Sequence, residues 1–72
     1  MKKIKKIKIK INGKFSMIND NLSLSQLLKR LKIPLKKVAI ELNEEIIDKN
    51  NLNKIIFKTN DKIEIVHFIG GG

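Results

Sequence analysis

The chain has 72 residues, no cysteine, an apolar fraction of 42% and a formal net charge of +9. That length allows one domain with a thin stability margin, because a chain this short buries only about 60% of its unfolded surface. No cysteine means no disulfide staple and no thiolate metal site, and no run approaching about 18 apolar residues is present to span a bilayer.

The charge raises a nucleic-acid reading. Of the sixteen basic residues only Arg30 is arginine, and the chain is crowded with Ile and Asn. Lys, Ile and Asn together are also what an A/T-rich genome encodes, so solvated lysines compete with a phosphate-binding surface. Aromatics are too few for a base-stacking platform. A basic face would in any case speed encounter with an acidic partner. "MKKIKKIKIK" is basic like the start of a signal peptide, but no apolar segment or cleavage site follows it. The expected setting is the cytoplasm, or a plastid stroma if the gene is organellar.

Ile7, Ile9 and Ile11 alternate with Lys6, Lys8 and Lys10, the period-two pattern of a strand with one buried face. Ile4 is out of phase, so the pattern becomes ragged before about Lys5. Asn12-Gly13 suits a two-residue hairpin turn with positive φ at both positions, and the return strand runs roughly from Lys14 to Ile18. A two-residue turn puts Phe15 and Met17 on the lysine face. Either the loop is longer and shifts the register, or the outer face carries two large apolar residues and marks a contact surface.

"LSLSQLLKRLKIP" reads as a helix. Ser23 is its N-cap, with Gln26 completing a capping box and Leu22 stapling onto Leu27. Leu24, Leu27, Leu28 and Leu31 form one stripe facing a sheet. Lys29, Arg30 and Lys32 suit the C-terminal end of the helix dipole, and Pro34 blocks much continuation. Val38, Ile40 and Leu42 mark a third strand. Asn43-Glu44-Glu45 makes a turn into a short strand at Ile46-Ile47. A polar loop with a helical turn follows, pinned by Leu52, Ile55, Ile56 and Phe57. The last strand spans Lys62 to Phe68, with Ile63, Ile65 and His67 on one face and Glu64, Val66 and Phe68 on the other.

One striped helix over one sheet is a two-layer α+β design. A terminal hairpin, one helix and a last strand at the C-terminus fit the β-grasp arrangement best, with the first and last strands as central neighbours. The reading is a single domain over residues 1–72, with a flexible glycine tail at residues 70–72.

Enzyme signatures are missing. There is no cysteine nucleophile, and His67 has no carboxylate partner at fixed spacing and reads as a strand-end residue. No metal site is expected. Glu41, Glu44, Glu45 and Asp48 flank a turn and read as solvated rather than as a cation site. "IGGG" is no phosphate cradle, since no helix follows it. The tail has two useful properties. Glycines can thread a narrow slot, and a terminal carboxylate becomes reactive once ATP converts it to an acyl adenylate. An uninformative appendage is the competing reading of the same residues.

The opening "IKINGK", the central "VAIELNEEII" and the closing "DKIEIVHFIGGG" resemble, in that order, the ThiS family of thiamine-biosynthesis sulfur carriers, which are small ubiquitin-like proteins. The resemblance covers nearly the whole chain and is most specific in the closing segment. Asn43-Glu44-Glu45 stands where Asn-Gly-Glu is frequent. The resemblance implies a carrier rather than an enzyme. A partner adenylating enzyme would use ATP and magnesium to adenylate the carboxylate of Gly72. Sulfur from a cysteine desulfurase or another donor would replace AMP to leave a thiocarboxylate, and thiazole synthase would accept the sulfur. No cofactor would be bound by the carrier, which is expected to be a monomer on its own with no nucleic-acid or membrane partner. Gly72 would be the reacting residue, and Gly70 and Gly71 the leader that threads into partners. Ile69 and Phe68 would anchor that leader. Val66 and Phe68, with Phe15 and Met17 across the sheet as further candidates, would form the partner-facing patch. The small subunit of molybdopterin synthase also ends in Gly-Gly, but its approach tends to be proline-rich. A ubiquitin-like modifier is a further relative, and a small basic nucleic-acid-binding module is the alternative of a different class.

Overall fold

A computed structural model describes residues 5–68. Five strands form one mixed sheet in the order β2-β1-β5-β3-β4. They are β1 (Lys6–Ile11), β2 (Lys14–Asn19), β3 (Val38–Leu42), β4 (Glu45–Ile46) and β5 (Lys62–His67). One helix, α1 (Leu24–Arg30), packs on the sheet, and short 3-10 helices span Leu35–Lys37 and Lys49–Lys54. Strands β1 and β5 are parallel neighbours, as the β-grasp reading expects. Among the described residues, no helix is long and apolar enough to cross a membrane.

The register question has a clear answer. Asn12 and Gly13 take φ of +48° and +84°, so the turn has two residues and pairs Ile11 with Lys14. Phe15 then lies opposite Lys10, and Met17 opposite Lys8, on the outer face. They are 67% and 57% exposed, so the outer face does carry two large apolar residues.

The inner face is sealed by aliphatic side chains. Ile9, Val38, Ile40 and Ile63 are almost completely buried, together with Leu24, Leu27 and Leu28 of α1. The helix begins as its sequence predicts. The Ser23 side chain accepts from the Gln26 N–H at 3.1 Å, and the Gln26 side chain accepts from the Ser23 N–H at 2.9 Å. Leu22 and Leu27 are both buried in the same core.

Four boundaries differ from the sequence reading. The return strand extends one residue further, to Asn19. Leu31 is not part of the buried stripe, because it is the C-cap and is left exposed. There Lys32 takes φ +55°, and the N–H groups of Lys32 and Ile33 donate to the carbonyls of Lys29 and Leu28. This is a Schellman end with lysine where glycine is usual. The short fourth strand is Glu45–Ile46 rather than Ile46-Ile47, since Asn43 and Glu44 alone form the turn, with φ of +52° and +74°. Strand β5 ends at His67, one residue short of Phe68, although the Phe68 N–H still donates to the Lys37 carbonyl at 3.1 Å in register with the Val38–His67 pair. Ile56, expected to pin the long loop, is exposed and bridges to Ser23, while Leu52 and Phe57 supply the buried anchors. His67 shares the phase of Ile63 and Ile65 but is exposed at the end of the strand.

Candidate functional site: the root of the C-terminal tail

Strand β5 is the centre of the sheet, paired on one side with β1 and on the other with β3. Its first half is enclosed by both neighbours. Strand β1 runs level with it only as far as Ile63. Beyond that point the Asn12 side chain continues the pairing. Its Oδ1 accepts from the Ile65 N–H at 2.7 Å, and its Nδ2 donates to the Ile65 carbonyl at 3.3 Å. One side-chain amide thus takes the place of a strand residue and satisfies both backbone groups. The loop before β5 is tied just as firmly. Asp61 accepts from the Lys58 N–H at 2.8 Å and from Asn43 Nδ2 at 3.0 Å, and Asn43 Oδ1 accepts from the Lys62 N–H at 2.9 Å.

The second half of β5 has a partner on one side only. Val38 pairs with His67 and Ala39 with Val66. Val66 and Phe68 remain 49% and 42% exposed. The Lys37 carbonyl holds the Phe68 N–H, and Lys49 Nζ lies 5.7 Å from the centre of the Phe68 ring. The same ammonium donates to the Leu35 carbonyl, so it links the tail root to the 3-10 segment before β3. The last described residue, Phe68, is thus held at its backbone by the Lys37 carbonyl and flanked by the Lys49 ammonium, with its side chain partly exposed. Ile69, Gly70, Gly71 and Gly72 lie outside the described residues.

Val66, Phe15 and Met17 share the outer face but do not form one patch. Phe15 is level with Lys10, and Lys10 with Lys62. Val66 stands four residues further along β5, about 13 Å at strand spacing, and two strands to the side. Lys62 and Glu64 lie between. The neighbours of Val66 are instead Ala39 and, one step along the face, Glu41 with Ile46 opposite it. Ile46 is exposed. The grouping expected from alternation fails because β1 and β5 are staggered, which alternation within one strand cannot reveal.

Asn12, Lys37, Lys49 and Ile46 were not singled out as site residues in the sequence. Asn12 carried a signal, but for a turn. Lys37 and Lys49 had none, since their place depends on how two loops pack at the start of β3. Among the described residues, no three His, Asp or Glu side chains gather as a metal site. Glu44 is paired with Lys62 at 3.4 Å.

The comparisons with known proteins agree with this geometry. Residues 4–72 match the family model described as "ThiS family". The chain is 37% identical over 65 residues to the sulfur carrier protein ThiS of Bacillus subtilis, covering 89% of this chain and 98% of that one. It is 38% identical over 66 residues to a thiazole synthase of Paramagnetospirillum magneticum, covering 92% of this chain but only 20% of the synthase. The chain thus spans about a fifth of the length of that relative. A crystal structure of the thiamine biosynthesis protein ThiS from Geobacter metallireducens superposes with a TM-score of 0.80 at 30% identity, covering 92% of this chain and all of that one. By family match, relatives and fold alike, the chain belongs to the ThiS family of ubiquitin-like sulfur carriers.

Proposed function

We propose that the chain carries sulfur for thiamine biosynthesis as a thiocarboxylate on Gly72, the glycine that ends its sequence. The observation that carries this reading is the root geometry. The central strand is locked up to Ile65 and held again at the Phe68 N–H, and in the sequence only Ile69 separates that point from the glycines. The four residues 69–72 span at most about 14 Å when extended. Only a narrow channel in a partner, closely approached by the folded domain, would bring such a tail to its chemistry. Glycines suit that channel because they add no side-chain bulk.

In this cycle a carboxylate oxygen of Gly72 attacks the α-phosphorus of ATP on a partner adenylating enzyme, and pyrophosphate leaves. Magnesium would serve that enzyme, not this chain. A sulfur nucleophile, supplied through a cysteine desulfurase or another donor, then attacks the acyl carbon and expels AMP. Sulfide gives the thiocarboxylate directly. A donor persulfide gives an acyl disulfide, whose S–S bond a second thiol cleaves, leaving with the donor sulfur as a disulfide. The resulting thiocarboxylate gives its sulfur to thiazole synthase. The likeness of this chain to a segment of a protein named thiazole synthase supports that last partner, because covalent union of two activities suits a direct transfer. The chain acts as substrate for each partner, and no step requires a catalytic group of its own. Its setting is the cytoplasm or a plastid stroma.

Val66, Phe68 and Ile46 form the surface that partners read, with Ile69, Gly70 and Gly71 as the threaded leader. Mass spectrometry after incubation with a ThiS-adenylating enzyme, ATP and a sulfur donor tests the reading. A mass gain equal to exchange of one oxygen for sulfur, located on the C-terminal peptide, is expected. An unchanged mass under conditions that load the Bacillus carrier would sink it.

A further inference from the structure

The two edges of the sheet are unlike. Strand β4 at one edge has two residues, while β2 at the other has six. Long open edges template pairing with other chains, and proteins usually blunt them with proline, bulges or brevity. Strand β2 has no proline, and its six pairings with β1 run without a break.

The hairpin determines which backbone groups face outward. In a two-residue hairpin the pair flanking the turn exchanges both ladder bonds, and such pairs then alternate along the strand. Ile11–Lys14, Ile9–Ser16 and Ile7–Ile18 are therefore the bonded pairs. The Asp20 N–H donating to the Lys5 carbonyl at 2.9 Å continues the same alternation. The N–H and C=O groups of Phe15 and Met17 consequently point away from β1 toward the open edge. At Asn19 the edge closes, because its carbonyl accepts the Leu22 N–H.

Charge decides what can pair there. Lys8 Nζ and Lys10 Nζ lie 4.8 and 4.9 Å from the centre of the exposed Phe15 ring, and Lys14 begins the strand. A second copy laid edge to edge would bring two such lysine groups together. The formal net charge of +9 opposes that contact further. An extended segment bearing carboxylates is attracted instead.

We propose that the β2 edge docks an extended, acidic segment of a partner protein, which adds a strand beside Phe15 and Met17. Main-chain bonds to those two residues give the affinity. An apolar side chain of the segment lies beside Met17, and its carboxylates meet Lys8 and Lys10 over the Phe15 ring. This edge is separate from the tail root and uses none of its residues, so it stands whether or not the chain carries sulfur.

The test titrates the isotope-labelled full chain with an end-capped peptide of about nine residues, enough to span the strand, in which Val and Ile alternate with Asp and Glu. Expected are amide shifts centred on residues 14–19 and slowed hydrogen exchange at Phe15 and Met17. The double variant F15S/M17S should weaken binding about tenfold, and N-methylating the peptide on its edge-facing amides should abolish it with the protein unaltered. The proposal is overturned by no shift at millimolar peptide, by equal binding of a peptide with Asn and Gln in place of its acids, or by shifts spread over every lysine. Dimerisation of the chain through β2, or the same β2 shifts with single-stranded DNA in place of the peptide, would also overturn it.

Discussion

The two halves of strand β5 make a useful contrast. Ile63 and Ile65 lie buried in the core beside the leucines of α1. Val66, further along the same strand, and Phe68, just past its end, are half exposed, and Val66 has a strand neighbour on one side only. The first half carries stability, and the second presents the tail. A short stretch of chain thus separates what holds the domain together from what partners read, so substitutions in the two regions should fail in different assays.

The sharpest way to break that contrast is at the tail. Deleting Gly72, or appending a residue to it, should abolish thiocarboxylate formation by intact mass while leaving the thermal midpoint unchanged. A tagged chain that still loads sulfur would remove the terminal carboxylate from the mechanism. In the core, Leu27→Ala should cost about 2–5 kcal/mol in denaturant unfolding, a large share of the about 5–15 kcal/mol that small domains possess. The fraction still folded should load sulfur normally. If loading per folded molecule falls as well, the two regions are coupled.

Asn12 lies where the regions meet. Asn12→Ala removes both side-chain bonds to Ile65 and should cost about 1–3 kcal/mol. Asn12→Gly keeps the positive φ that the turn needs, so any loss beyond about 0.5–1 kcal/mol of added glycine chain entropy measures the amide bonds. Phe68→Ala should stay within about 1 kcal/mol of the parent, as exposed positions do, while kcat/KM for adenylation by the partner falls. An unchanged kcat/KM would take Phe68 out of the partner surface. The smallest effect is expected at Lys32, whose left-handed backbone is costly for a residue with a β-carbon. Lys32→Gly should raise stability by about 1 kcal/mol without altering sulfur loading.

Most of the fold was legible because its signals are local. The alternation of Ile7, Ile9 and Ile11, the Asn12-Gly13 turn and the Ser23/Gln26 box each draw on neighbours within a few residues. The buried set follows from the same patterns, apart from Leu31, one side chain past the last turn of the helix stripe, and Ile56, in a loop with no period to orient it. Boundaries were less legible. Lys32 and Glu44 adopt positive φ without being glycine, so the composition of those turns did not announce where the elements would end.

The site was legible only in its chemistry. Glycines after an alternating strand carry the idea of a reacting terminus with no structure needed, because that inference rests on residue type and order. The company kept by Val66 and Phe68 was decided by tertiary structure. The stagger of β1 against β5 sends Phe15 and Met17 to a different part of the outer face. The stagger also leaves Ile65 to be paired by a turn residue, and packing at the start of β3 brings Lys37 and Lys49 to the tail root. Local periodicity tells which way a side chain points along its own strand. How far one strand slides past the next is set by hydrogen bonds between residues more than fifty positions apart, such as Asn12 and Ile65, and no window of sequence contains both.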